Sequence, residues 1–357
     1  MSERQIQRAG DGSQQIQVAG NYVVIQGITE ERAAEIAEAK VEEALAELSH
    51  EGYAIGEERA RRLDEMIVRS AAQMETLDAF ADPAFQVLLR KAQIKAACTG
   101  GEDELALLTK LLTEKAGNPA RRIHAPLSRA IDVIDEIDSE DLSALSALWV
   151  ILRLKWNVRD FRDGLRSMDQ LLATVMQDFP SDYTCISRLD ITSCIRVSSL
   201  GSIRPWQDVY PDKLPGSFSQ GIPENQKAET ERKIREVSTA LQGLFYRDPI
   251  NHNEYRLATT KAVDKWVEQQ TFLTPEQSRA LLELLSSVGL TQRDPSRVAF
   301  MDQYITDNCP ALARARDWWN GLPNAVEITS TGIALAYTNL KRFVPLNGLG
   351  PLETILY

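Results

Sequence analysis

The chain is poor in the residues that most often carry chemistry. Its 357 residues include only three histidines, His50, His124 and His252, standing far apart in the sequence. None falls in an HExxH or other paired-ligand spacing, so nothing here resembles a histidine zinc site. The four cysteines, Cys98, Cys185, Cys194 and Cys309, are equally scattered, with no CxxC pair. With no signal peptide ahead of them, a reduced, cytoplasmic setting is expected. Glycine-rich phosphate cradles and nucleophile elbows are missing: there is no GxGxxG, GxxxxGK[ST] or GxSxG. Basic residues are outnumbered, 40 against 51 acids, which gives a net charge of -11. That balance disfavours broad nucleic-acid binding and a polybasic membrane anchor. The most apolar run, 142–154, contains Ser143, Ser146 and Arg153 and is too short to span a bilayer.

What the sequence does contain is helical periodicity behind an unusual opening. Residues 5–27 read QIQRAGDGSQQIQVAGNYVVIQG. Three short alternating pieces are separated by Gly, Asn and Asp, as in small strands joined by tight bends. Strands this short cannot bury a face alone. They are expected to pair with the same pieces in sister chains through Ile6, Ile16, Val18, Tyr22 and Val24; the alternatives are docking on the chain's own body and a mobile tail. Thr29, Glu30 and Glu31 then open a helix running to about residue 49. Its alanine-rich seam, Ala33, Ala37, Val41 and Leu48, suits close helix contact, either with another copy or with the chain's own core. Gly52 and Gly56 are expected to bracket a reversal before a second helix over 57–80.

The fold expected is mainly α: a multi-helical body, a short N-terminal β oligomerisation segment, and a small α+β C-terminal part that is winged-helix-like. The boundaries that follow are 1–27 for self-association, 28–80 for a helical hairpin or stalk, and 81–203 for a helical domain. Residues 204–223 make a Gly- and Pro-rich linker, or a long loop docked by Trp206, Tyr210 and Phe218. Residues 224–357 form the C-terminal domain. Asp82-Pro83, Asp138 and Thr274-Pro275-Glu276-Gln277 mark helix starts, the last as a capping box. Near the end, Ala325 to Ile328 reads as a strand leading into a helix.

Candidate contacts for an anion or partner are Arg121, Arg122, His124 and Arg129, a local basic patch. Arg59, Arg61 and Arg62 form another. The acids Asp132, Asp135, Glu136 and Asp138 cluster, but at a helix junction where solvated carboxylates are ordinary. No catalytic, metal or cofactor-binding residue is assigned, and no cofactor is expected.

The segments GDGSQQIQVAGN and GITEERAAEIAEAK, together with DPAFQVLLRKAQIKAACTGGEDELALLTKLL and ITSTGIALAYTNLKR, resemble an uncharacterised family of bacterial cytoplasmic proteins often found beside defence or mobile-element genes. The resemblance covers about the first 155 residues and the last 30. It implies a setting, bacterial defence, and supplies no catalytic residues. Three functions remain open from the sequence: a non-enzymatic homo-oligomeric scaffold, sensor or adaptor; a nucleic-acid-binding regulator using Arg314, Arg316, Lys341 and Arg342; and an enzyme with a site assembled from distant residues, for example Asp135, Arg122 and His124.

Overall fold

The computed structural model describes residues 28–45, 50–99, 101–118, 120–154, 158, 160–198, 200–343 and 352. The expected N-terminal strands, with Ile6, Ile16, Val18, Tyr22 and Val24, lie outside them, as does Leu48. The described residues fold mainly as α-helix, with sixteen helices and two small sheets.

Helices α1 (Glu30–Leu45) and α2 (His50–Gln73) pair and rest on α3 (Pro83–Cys98). Because α2 begins at His50, Gly52 and Gly56 lie inside its first turns and do not bracket a reversal. The alanine seam faces inward: Ala33 and Ala37 join the main core, and Val41 packs with Ala60 and Ala97. Ala33 and Ala37 are therefore enclosed within their own chain and as folded present no oligomer surface, while Val41, packed on α2 and α3, reaches only the edge of a groove between α1 and α2.

Local signals set the helix starts that follow. The Asp82 carboxylate accepts from Ala84 N at 3.0 Å ahead of Pro83. Next come α4 (Glu102–Gly117) and α5 (Arg121–Val133), and then α6 (Ser139–Arg153), capped by Asp138, which accepts from Asp141 N at 2.8 Å. The chain continues through α7 (Phe161–Val175) and α8 (Thr184–Ile191) into β1 (Ile195–Ser198). The segment expected as a linker or a docked loop holds two single-turn helices, α9 (Trp206–Val209) and α10 (Pro215–Phe218), and its aromatic residues Trp206, Tyr210 and Phe218 are buried in the main core. Trp206 stacks on Tyr210, and Tyr210 meets Phe218 edge-on.

The chain then leaves this body and builds a second, smaller core. Strand β2 (Ile222–Pro223), α11 (Glu224–Val237), β3 (Phe245–Arg247), β4 (Glu254–Leu257), α12 (Val263–Glu268) and α13 (Pro275–Ser287) enclose Ile222, Ile234, Leu257, Leu281 and Leu285. The sheet order is β2-β4-β3, antiparallel throughout. Thr274 and Gln277 form the reciprocal capping box that starts α13.

From Asp294 the chain returns to the body as α14 (Pro295–Asn308), α15 (Pro310–Asn320), β5 (Ala325–Ile328) and α16 (Ser330–Leu340). Residues 224–357 thus do not share one core: 222–290 build the second, while 295–340 complete the first. The strand-to-helix step near the end forms as β5 and α16, and β5 pairs antiparallel with β1, Ile195 opposite Ile328 and Ser198 opposite Ala325. Every residue from Thr331 to Leu340 is buried, as suits a mainly apolar helix at the centre of a bundle, and the buried Asn339 donates to Ser146 Oγ at 3.0 Å. Thr329 caps it, accepting from Gly332 N at 3.2 Å. A Cβ on Gly332 would lie 2.0 Å from the Cys194 carbonyl oxygen and 3.0 Å from Ile328 Cγ2. Gly332→Ala should therefore push α16 off the β1 edge and cost about 1–3 kcal/mol or more. Urea unfolding measures this; a loss below about 0.5 kcal/mol would show that the edge yields freely.

Candidate functional site

The most distinctive chemistry is at the neck joining the second core to the body. The two chain crossings lie side by side: Gln220 N donates to Gln292 O at 2.9 Å, and Asp294 N donates to Phe218 O at 2.8 Å. Beneath them Asp248, Arg256 and Arg297 are almost wholly buried, at 0%, 1% and 4% exposure. Each comes from a different element: the loop after β3, strand β4, and the first turn of α14.

Arg256 Nε donates to Asp248 Oδ2 at 2.5 Å, and Arg297 Nη1 donates to Asp248 Oδ1 at 3.0 Å. The backbone N–H of Ile250 adds a third donor at 2.8 Å. Arg256 also reaches the Ser219 carbonyl, Glu254 at 3.1 Å and Asp294 at 3.4 Å. Arg297 donates through Nε to Ser217 O at 3.2 Å and stacks over Phe161, 5.2 Å from the ring centre. Two arginines thus clamp one carboxylate while gripping the outgoing chain at Ser217 and Ser219. Tyr246 closes the cluster, its hydroxyl 3.2 Å from Ser217 Oγ.

Burial alone would push Asp248 up, but the bonds from Arg256 and Ile250 and the charge of both arginines outweigh it and hold the carboxyl below its ordinary value. The guanidinium of Arg297 is pulled down, first by burial and then by repulsion from Arg256. A charged cluster of this kind is costly to assemble and more costly to break, because any one deletion leaves a buried charge without its partner. It fixes how the second core is mounted. Beside the neck, a cleft of about 330 Å³ lies between Pro211, Phe218 and Arg293 on one side and Val263 and Leu290 on the other.

The basic patch read from the sequence does not converge in this way. Arg122 and Arg129 are exposed on α5, His124 Nε2 lies 2.8 Å from the Asn118 carbonyl oxygen, and for Arg121 only the helical backbone is described. Asp135 bonds Lys95 at 2.5 Å and Asp132 bonds Lys91 at 2.8 Å, while Arg188 takes Asp138 at 3.2 Å. These acids are ion-pair partners between helices, so Asp135, Arg122 and His124 are not brought together as a catalytic set. Of the second basic patch, Arg59 bonds the Ala97 carbonyl at 3.3 Å, while Arg61 and Arg62 pair with Glu57 and Glu102.

The cations considered for phosphate contact are also engaged within the chain. Lys341 pairs with Glu114 at 2.8 Å, Arg342 with Asp103, Arg316 with Asp302 at 2.8 Å, and Arg314 donates to Met176 O at 2.7 Å. Burial pushes the Cys185 and Cys194 thiols up to about 12 and about 11, which leaves both unreactive near neutrality. Among the described residues no His, Cys, Asp and Glu side chains gather as a metal-binding group, and no helix is long and apolar enough to cross a membrane.

The neck residues carried a faint signal in the sequence. Arg256 sits in a short strand, EYRL, otherwise suited to one buried face, and Asp248 precedes a proline in a loop. Charges at such places are conspicuous only once the fold shows that both are buried. No curated protein and no solved structure matches the chain. A family model of an uncharacterised family does match, over residues 27–349. That span takes in the body, the neck and the second core alike, and the chain belongs to this family.

Proposed function

We propose that the protein is a non-enzymatic homo-oligomeric adaptor in which each copy carries its second core as a docking unit. The observation that favours this reading is the neck. A separately packed module of about 70 residues is attached by two adjacent crossings and held by buried ions, which suits a part displayed in a set orientation toward another molecule. The body supplies the platform. Copies come together through residues 1–27, whose alternating pieces need partners to bury a face. A cytoplasmic role in bacterial defence is part of the proposal and rests on the resemblance of the GDGSQQIQVAGN and ITSTGIALAYTNLKR segments.

Light scattering after size exclusion tests the assembly. The full chain is expected to elute as an oligomer whose mass falls on dilution, and deletion of residues 1–27 is expected to leave a folded monomer. Replacing residues 221–291 by a short Gly-Ser linker, together with Arg297→Met so that no unpaired charge is left, should keep the oligomer. An unchanged mass after deleting residues 1–27 would refute the proposed mode of assembly.

A further inference from the structure

Apart from the neck, the described residues include a buried carboxyl, Asp64, with no cation beside it, unlike the buried Asp141, which pairs with Arg188. Asp64, on α2, is 7% exposed, and Gln93 Nε2 donates to its Oδ1 at 2.8 Å. The same Gln93 nitrogen donates to the Ala37 carbonyl at 3.1 Å, so it is shared between α1 and α2. No cation pairs with Asp64 among the described residues, and its other oxygen has no hydrogen-bond partner among them. A carboxylate this deep normally has a charge partner or several donors.

Asp64 lines a groove of about 550 Å³ that runs between α1 and α2. Ala34, Val41 and Val68 supply apolar lining, while Glu31 and Glu38 of α1 and Glu57 and Glu65 of α2 supply acidic lining. Two bases also lie along it: Arg61, which is paired with Glu57, and Arg69. The lining therefore has a net negative charge and alternates carboxylates with methyl and methylene surface. Glu31 and Glu38 are seven residues apart, about 10 Å along the helix axis.

We infer that this groove binds a linear aliphatic polyamine, with one ammonium seated on Asp64, its methylenes against Val41 and Val68, and a further ammonium among the rim glutamates. The volume lies in the range of small-molecule sites, about 300–1,000 Å³. Charges separated by methylene runs complement a lining in which acids alternate with apolar side chains. This inference does not depend on the adaptor reading: the site lies on α1 and α2, outside both residues 1–27 and the second core.

Isothermal titration of the full chain with spermidine at pH 8 and low salt tests it. Saturable binding to one site per chain is expected, weakened at least tenfold by Asp64→Asn and several-fold by Glu38→Gln. Glu236→Gln, on the distant α11, should leave it unchanged. Circular dichroism of each variant guards against reading unfolding as lost binding. Three results would overturn the assignment: no saturable heat with spermidine, equal affinity in a folded Asp64→Asn variant, or equal displacement of spermidine by Mg²⁺, which would mean diffuse attraction to surface acids. A lysine-rich helical peptide that displaces spermidine and binds more tightly would also overturn it, in favour of a protein ligand.

Discussion

Asp248→Ala should destabilise the protein by about 3–5 kcal/mol, among the largest single losses expected for this chain. The substitution removes the carboxylate that Arg256 and Arg297 share and leaves two guanidinium groups facing each other in a site closed to water. The backbone N–H of Ile250 loses its acceptor as well. Urea unfolding measures the loss. Asp248→Ala combined with Arg256→Met and Arg297→Met should recover part of it, because no buried guanidinium is then left without its carboxylate. If the triple variant is no more stable than the single one, the loss comes from the lost carboxylate contacts and not from stranded cations.

The same carboxyl links stability to acid. Its pKa in the folded protein lies below the ordinary value, so its contribution is present above the pH where an unfolded aspartate titrates, about 3.9, and is lost as pH falls through the lower folded value. Asp294, also held low against the opposing effect of burial by its bond from Ser296 and the charge of Arg256, acts in the same direction. The neck should therefore hold throughout the neutral range and loosen only in strong acid.

Asp64 behaves in the opposite sense, and Asp64→Asn should stabilise the protein. Burial pushes the Asp64 carboxyl up to about 7; the Gln93 bond pulls against this and the charge of Glu38 adds to it. The folded state therefore binds a proton more tightly than the unfolded chain. Stability from this group is full below about pH 3.9, declines as pH rises, and is fully lost once pH passes about 7. The gain from Asp64→Asn should grow between pH 5 and pH 8 and then level off, at on the order of 2–4 kcal/mol. Paired urea titrations of the two proteins at several pH values isolate this one group. A gain that does not change with pH would mean that Asp64 is ionised throughout, or protonated throughout, in the folded state. The benefit of Asn is expected to come at the expense of polyamine binding, the kind of opposition between stability and function that a buried unpaired charge creates.

Much of the architecture can be read locally, and the reasons are specific. Asp82, Asp138, Thr274 and Thr329 each start a helix because a short side-chain oxygen meets free N–H groups at the next turn, an interaction contained within a few residues. The apolar run from Ile333 to Tyr337 likewise marks a helix buried on all sides. The Gly and Pro content of segment 204–223 leaves a linker and a docked loop both open, and the burial of Trp206, Tyr210 and Phe218 in the body's core agrees with the docked alternative. The return of residues 295–340 to the body depends on contacts with α5, α6 and α7 that are far away in sequence, and no local pattern announces it.

The sites are harder to read than the fold for the same reason. Asp248, Arg256 and Arg297 are brought together only when two crossings meet. Asp64 is the exception. It stands one helical turn from Ala60 and from Val68, within a buried stripe that continues to Ala71, so an acid in an otherwise apolar face was there to be seen. The basic patch of α5 shows the converse: Arg122 and Arg129 are close in sequence and remain on the surface.

The central claim is that one chain builds two packed cores joined at a pinned neck. Native-state hydrogen exchange under increasing urea tests this most directly, because it resolves cooperative units by their opening free energies. Amides of α11, β4 and α13 should open together, at a lower free energy than those of α6 and α16, and Asp248→Ala should lower the first group more than the second. If amides of both cores merge into a single opening, and Asp248→Ala shifts them equally, the two cores are one unit and the account of the neck is wrong.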